Sequence, residues 1–211
     1  MPLRLDKEVP NFSASTTMGQ IDFYDWAKKS WVLLLSHPGD FTPICTTELG
    51  SIASIEEELA KRNVKPLGLS VDPIESHLAW VNDIETSQNV KMNFPVIADP
   101  SRRVSIMLDM IHQFDFANNT VRSLFIIDPE KRVRLTMTYP LNVGRNVHEI
   151  LRVIDALQLA DKYQVATPAN WQQKEDVVIS TQVPDQDIPK KFPKGFTKVL
   201  SYLRMTPQPD H

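Results

Sequence analysis

Trp31-Val32-Leu33-Leu34-Leu35-Ser36-His37-Pro38-Gly39-Asp40-Phe41-Thr42-Pro43-Ile44-Cys45 contains the decision about the fold. Its first six residues form a continuous apolar run of strand length, the pattern of a strand covered on both faces. The next six, Phe41 apart, are polar or turn-forming. Thr42 then suits an N-cap and Pro43 the first helical position, so a helix is predicted over Pro43 to Arg62. Strand, short loop and helix in that order read as one half of an α/β unit. Cys45 falls in the first turn of this helix, among backbone N–H groups without intrahelical acceptors and at the positive end of the helix dipole. Both favour a thiolate.

Outward from this segment, Asn11 to Ser15 reads as a strand, Met18-Gly19-Gln20 as a turn, and Asp22 as the cap of a short helix through Lys29. Val64 to Val71 is a second buried strand. A helix follows over Ile74 to Ser87, with Leu78, Val81 and Ile84 expected on its inward face. Pro95 to Ala98 is a strand and Arg102 to Met110 a helix. Leu124 to Ile127 and Val133 to Thr138 pair as strands around Asp128-Pro129-Glu130-Lys131, a turn composition. Val147 to Tyr163 is a helix. After Pro168 the periodicity fades, apart from a strand at Val177 to Ser180. This tail is expected to form little core alone and to lie across the main domain or a partner subunit.

Length and charge set limits. The chain has 211 residues and a formal net charge of −3, with a pI near 6.0, so no global charge draws it to nucleic acid or an anionic membrane. Val32-Leu33-Leu34-Leu35 is too short to span a bilayer, which takes ~20 residues, so no integral membrane contact is expected. The first eight residues lack the apolar stretch of a signal peptide. A single cysteine excludes an internal disulfide and fits a reducing compartment, with the cytoplasm as the expected location. The six glycines never approach G-x-G-x-x-G or Walker spacing, so those nucleotide sites are excluded. The sequons Asn11-Phe12-Ser13 and Asn118-Asn119-Thr120 are short patterns of the kind that chance produces.

Cys45 by type alone is an inert buried thiol, and with Leu49, Ile52, Ile55 and Leu59 it continues an inward stripe at 3–4 residue spacing. Its neighbours Thr42 and Glu48, three residues to either side, give it polar company on the same face. Glu48 alone would oppose ionisation of the thiol through like-charge repulsion. The site therefore demands a cation from elsewhere, and the spacing does not identify it.

Pro38-x-x-x-Thr42-x-x-Cys45 resembles the active-site signature of peroxiredoxins, and the run Ser36 to Leu49 resembles their one-cysteine, peroxiredoxin 6-like branch. Tyr139-Pro140, Gly144-Arg145-Asn146, Glu149-Ile150-Leu151-Arg152, Val165 to Trp171, Phe192-Pro193-Lys194-Gly195 and Tyr202-Leu203-Arg204 extend the resemblance over nearly the whole chain. It implies an α/β, thioredoxin-like mixed sheet flanked by helices over residues 5–165 and a small C-terminal domain or arm over 166–211. It also implies a thiol-dependent peroxidase that reduces hydrogen peroxide and organic hydroperoxides, a class extending to phospholipid hydroperoxides. Cys45 would become a sulfenic acid. With no resolving cysteine, recycling falls to an external thiol, either glutathione delivered with a glutathione transferase or another small thiol, and no cofactor or metal is implied.

Carried over residue by residue, the catalytic set is Cys45, Thr42, Arg122, Pro38 and His37, with Glu48 and Arg145 supporting. Arg122 supplies the missing cation. The resemblance also implies a homodimer. A redox-sensing holdase on the same fold is the rival reading, distinguished by keeping its activity in Cys45→Ser. A phospholipase A2-type activity is a further one. For it Ser30 lacks partners, because Tyr24 stands at the histidine position and Glu130 at the aspartate position. His148-Glu149-Ile150-Leu151-Arg152 misses H-E-x-x-H by its last residue, and Lys190, Lys191, Lys194 and Lys198 read as a solvated basic patch.

Overall fold

The computed structural model describes residues 3–111 and 119–211. Asn118 of the second sequon lies outside them. By packing, the chain divides into two compact units, Met1–Val147 and His148–His211.

The first unit is built on a seven-stranded mixed sheet. Its elements in chain order are β1 (Ser13–Thr16), β2 (Gly19–Asp22), α1 (Phe23–Ala27), β3 (Trp31–Ser36), α2 (Pro43–Ser54), α3 (Glu56–Lys61), β4 (Val64–Ser70), α4 (Ile74–Gln88), β5 (Val96–Ala98), α5 (Arg103–Met107), β6 (Arg122–Ile127) and β7 (Val133–Tyr139). The strands lie in the order β2-β1-β5-β4-β3-β6-β7. Within it β3, β4 and β5 run parallel, and β6 lies antiparallel to β3. Every residue of β3 is buried, as its unbroken apolar run predicted, and so is every residue of β6.

Register puts the site in place. β3 and β6 pair Val32 with Ile127 and Leu35 with Leu124. Continuing that register two residues brings Arg122 beside the residue that leaves β3, His37. Because side chains alternate across a strand, Arg122 shares a face with Leu124 and Ile126. The opposite face carries Val32, Leu34, Phe125 and Ile127 into a core with Phe23, Leu67, Leu69, Ile97 and Val133.

Three expectations change here. The helix predicted over Pro43 to Arg62 is two helices, broken at Ile55, whose N–H turns back to Ile52 O at 3.2 Å. Glu56, Glu57 and Glu58 then occupy the first turn of α3, where negative charge favours a new helix N-terminus. Thr42 stands at the N-cap position with extended backbone, but its hydroxyl makes no capping bond and donates to Gly39 O at 2.9 Å. The inward face of α4 is His77, Trp80 and Ile84, and Leu78 is 53% exposed. The histidine faces inward because both its ring nitrogens have partners.

The second unit contains α6 (Val147–Tyr163, its first residue at the boundary), β8 (Val165–Ala166), β9 (Val177–Ile179), a 3₁₀ turn at Asp185–Asp187, α7 (Ile188–Lys191), β10 (Thr197–Lys198) and β11 (Arg204–Thr206). Its four strands form a small sheet in the order β10-β11-β9-β8. Leu159, Val165, Trp171, Val177, Ile179, Val183, Ile188 and Phe192 bury one another. The tail therefore owns a core. The division falls before α6, earlier than the expected break at 165, because Leu159 of that helix packs into this cluster.

The side chain of Gln88, at the end of α4, lies against Gly50 of α2. A Cβ built there would meet Gln88 Cβ at 2.7 Å and its Cγ closer still, so Gly50 fits because it has no side chain. Gly50→Ala is expected to lower the unfolding free energy by about 1–3 kcal/mol through overpacking. The check is the urea midpoint, and Gln88→Gly in the same chain should recover part of the loss.

Candidate active site

Cys45 is 1% exposed. It is the third residue of α2, so its N–H and that of Ile44 have no acceptor one turn back, whereas Thr46 N–H already reaches Thr42 O at 3.0 Å. Arg122, at the start of β6 and 2% exposed, donates from Nη1 to Cys45 Sγ at 3.5 Å. The same nitrogen donates to Glu48 Oε2, and Nη2 donates to Leu141 O at 2.9 Å. Arg122 Nε is buried with no hydrogen-bond partner among the described residues.

Glu48 lies one turn after Cys45 and is 5% exposed. Beyond Arg122 it takes three bonds from Arg145: Nη2 to Oε2 at 2.8 Å, Nε to Oε1 at 3.0 Å and the backbone N–H to Oε1 at 2.7 Å. Arg145 Nη1 also donates to Ser36 O and Ser123 O, at 3.0 and 2.9 Å. Those carbonyls end β3 and begin β6. Burial pushes Arg145 down from the usual arginine range, and the charge and hydrogen bonds of Glu48 oppose that push. One carboxylate thus serves two guanidiniums, and a positive balance remains beside the sulfur.

The loop from β3 to α2 carries the rest. Pro38 and Thr42 are half-buried. Phe41 is 56% exposed with φ of +54°, a backbone state unusual for an aromatic residue and the sort of strain found at functional loops. His37 is fully buried. Its Nε2 bonds Asp40 Oδ1 at 2.9 Å and its ring rests on Trp80 with centroids 4.9 Å apart. Burial lowers its proton affinity against the pull of Asp40. The residue reading missed Asp40, His77 and Trp80. Asp40 sits three residues after His37 within the quoted loop, and Trp80 three after His77 in α4, so the local spacing was present but not the contact.

The other sequence candidates are accounted for. The Ser30 hydroxyl donates to Asn63 Oδ1 at 2.9 Å, and the Tyr24 phenol bonds Glu8 at 2.6 Å and Val9 O at 2.8 Å, so neither activates the other. Glu149 pairs with Arg152 at 2.6 Å. Lys198 pairs with Asp185 at 2.7 Å, while Lys191 and Lys194 bond Gln164 and Gln208 O. Among the described residues no helix is long and apolar enough to cross a membrane.

A lone thiol facing an arginine, at the head of a helix that leaves the middle of a mixed sheet, defines a cysteine-based redox protein of thioredoxin-like architecture. The AhpC/TSA family profile matches residues 5–136, and that of the C-terminal domain of 1-Cys peroxiredoxin matches 156–195. A 1-Cys peroxiredoxin of Dictyostelium discoideum is 51% identical over 208 residues, covering 99% of this chain and 86% of the relative. The structure of a yeast mitochondrial 1-Cys peroxiredoxin, studied for thiol resolution through glutathione/thioredoxin systems, superimposes with a TM-score of 0.92 at 48% identity, covering 97% and 99% of the two chains. A cysteine-to-serine variant of peroxiredoxin 6 from Arenicola marina gives 0.92 at 39%, covering 99% and 100%. The chain belongs to the AhpC/TSA family, in its 1-Cys peroxiredoxin branch, and is a thiol peroxidase.

Glu48→Gln would leave two buried guanidiniums short of their counter-charge. It is expected to lower the unfolding free energy by about 3–5 kcal/mol, checked by urea denaturation followed by circular dichroism.

Proposed function

We propose that Cys45 is the peroxidatic residue and that Arg122, Thr42, Pro38 and His37 complete its site, with Glu48 and Arg145 orienting Arg122. The Cys45 thiolate attacks the terminal oxygen of a hydroperoxide in line with the O–O bond. That bond breaks, sulfur gives up two electrons to become a sulfenate, and the leaving oxygen takes a proton and departs as water or an alcohol. The observation that carries this reading is the 3.5 Å approach of Arg122 Nη1 to Sγ. Clamped by Glu48 and by Leu141 O, that guanidinium is oriented before the oxidant arrives, and its buried Nε, without a partner among the described residues, leaves a donor to spare. Preorganised donors of this kind stabilise charge developing on the peroxide. The Thr42 hydroxyl and the N–H groups of Ile44 and Cys45 stand at the same helix end, and Pro38 limits access of bulk water to the sulfur.

Recycling follows from the cysteine count. A sulfenate with no second cysteine in its chain is reduced by a thiol from another molecule. Glutathione, brought by a glutathione transferase-type partner, is the proposed reductant, in keeping with the systems studied for the yeast relative. The substrates are hydrogen peroxide and organic hydroperoxides. The exposed apolar side chains of Phe41, Leu141 and Val143, close in sequence to Thr42 and Arg145, favour inclusion of hydroperoxides with apolar chains. A homodimer is proposed because β7 is an edge strand and such an edge is a template for a second copy. The proposed location is the cytosol, where a lone thiol stays reduced, although the yeast relative is mitochondrial.

With a sulfenate trap and one equivalent of peroxide, peptide mass analysis should find the label on Cys45 alone, and Cys45→Ser should abolish peroxide consumption. Arg122→Met should lower kcat/KM for peroxide by roughly 10²–10³-fold, the scale set by loss of one preorganised donor. Label elsewhere, or an active Cys45→Ser variant, removes the assignment.

A further inference from the structure

Behind the loop that carries Pro38 and Thr42 lies a buried group that the peroxidase reaction does not by itself explain. His37, Asp40 and His77 bring their ligand-type atoms within 4.8 Å of one another. The side chains of the two histidines are 0% exposed and that of Asp40 is 1% exposed.

Hydrogen-bond bookkeeping restricts the protons here. His77 Nε2 lies 3.1 Å from Ile97 O. A carbonyl only accepts, so Nε2 carries a hydrogen. His77 Nδ1 lies 2.8 and 3.0 Å from the two oxygens of Asp40. A neutral imidazole already protonated at Nε2 would aim a lone pair at a carboxylate, which is repulsive. A second proton must therefore lie between Nδ1 and Asp40. Asp40 also accepts from Ser76 Oγ at 2.7 Å and faces His37 Nε2 at 2.9 Å. Three donors converging on two oxygens suit an ionised carboxylate. Burial works against that charge, yet the bonds from His37, His77 and Ser76 and the charge of His77 hold the Asp40 carboxyl well below the usual carboxylate range. With Asp40 ionised, the second proton belongs to His77. A further charge that bears on the group is Asp72, whose Oδ2 accepts from Asp40 N–H at 3.1 Å and from Ser70 Oγ at 2.7 Å.

We propose that Asp40 and His77 are positioning residues for the Cys45 reaction: His77 carries protons on both ring nitrogens, and the Asp40 carboxylate accepts from it and from His37 Nε2. The effect is to pin the Pro38–Thr42 loop onto α4 from its middle. The pin fixes the Nε2–H tautomer of His37, whose Nδ1 is left as a buried acceptor with no partner among the described residues. It also fixes the backbone at Gly39, whose carbonyl takes the Thr42 hydroxyl. Trp80, one turn along α4 from His77, holds the far side by resting on His37 and donating from Nε1 to Thr46 Oγ1 at 3.0 Å. The inference rests on the peroxidase reading for its consequence but not for its proton count.

The test has two arms on the full-length protein. Nitrogen-15 NMR of histidine-labelled, reduced wild type at neutral pH should show both ring nitrogens of His77 protonated, and Asp40→Asn should remove the Nδ1 proton. In stopped flow, Asp40→Asn with a native melting curve should oxidise at Cys45 roughly 10- to 100-fold more slowly, the cost of a small misplacement at a reacting centre. If Asp40→Asn does not fold, the wild-type spectrum alone decides. A single ring proton on His77, or a folded Asp40→Asn reacting at the native rate, overturns the proposal. So does stoichiometric divalent metal, found in the purified protein and displacing those protons, since two histidines and a carboxylate are also a metal-ligand set. Failure of the peroxidase reading looks different: wild-type Cys45 would not react, while the His77 signals stay as stated.

Discussion

Glu48 held between Arg122 and Arg145 is the interaction on which the site depends. Two guanidiniums buried near a sulfur would repel each other and carry a large desolvation cost if unpaired. One carboxylate, reached through four hydrogen bonds from these two residues, brings them together and leaves one positive charge in excess. That excess is available to an ionised sulfur and to a peroxide. Glu48 alone would disfavour a charged thiol, but as the centre of this cluster it brings the cation within reach.

The cluster also links Cys45 to the sheet. Arg145 spans the carbonyls of Ser36 and Ser123, and Arg122 is itself the first residue of β6. The positions of Cys45, Glu48 and Arg122 relative to one another therefore derive from the β3–β6 register and from the start of α2. β3 and β6 are buried throughout, and Cys45 and Glu48 are the buried residues of the first turns of α2. Arg145 lies in the loop between β7 and α6, and the Pro38–Thr42 loop is held by hydrogen bonds from Ser76 and His77 of α4 to Asp40.

Much of this was legible in the residues. The all-apolar run at Trp31 to Ser36 announced a central strand, and the Val147 to Tyr163 periodicity announced a helix at its true bounds. The Cys45–Leu49–Ile52–Leu59 stripe gave the buried face. Three things were hidden. The break at Ile55 leaves the apolar stripe almost in phase, and only the run of three glutamates marks it. The inward face of α4 uses a histidine and a tryptophan, residues whose burial depends on distant partners such as Asp40, Ile97 O and Thr46. The C-terminal sheet is made of strands two or three residues long, too short for any period to register. Arg122 was beyond residue patterning altogether, because nothing local separates it from other arginines. Resemblance supplied it, and the register explains it.

Because Arg145 joins the tips of two central strands to the carboxylate beside the thiol, those tips cannot fray without uncovering two cations and an anion at once. Partial opening is thereby suppressed where small enzymes often breathe. Heating should therefore leave turnover intact until the first unit gives way as a whole, so that inactivation and loss of tertiary structure follow a single curve.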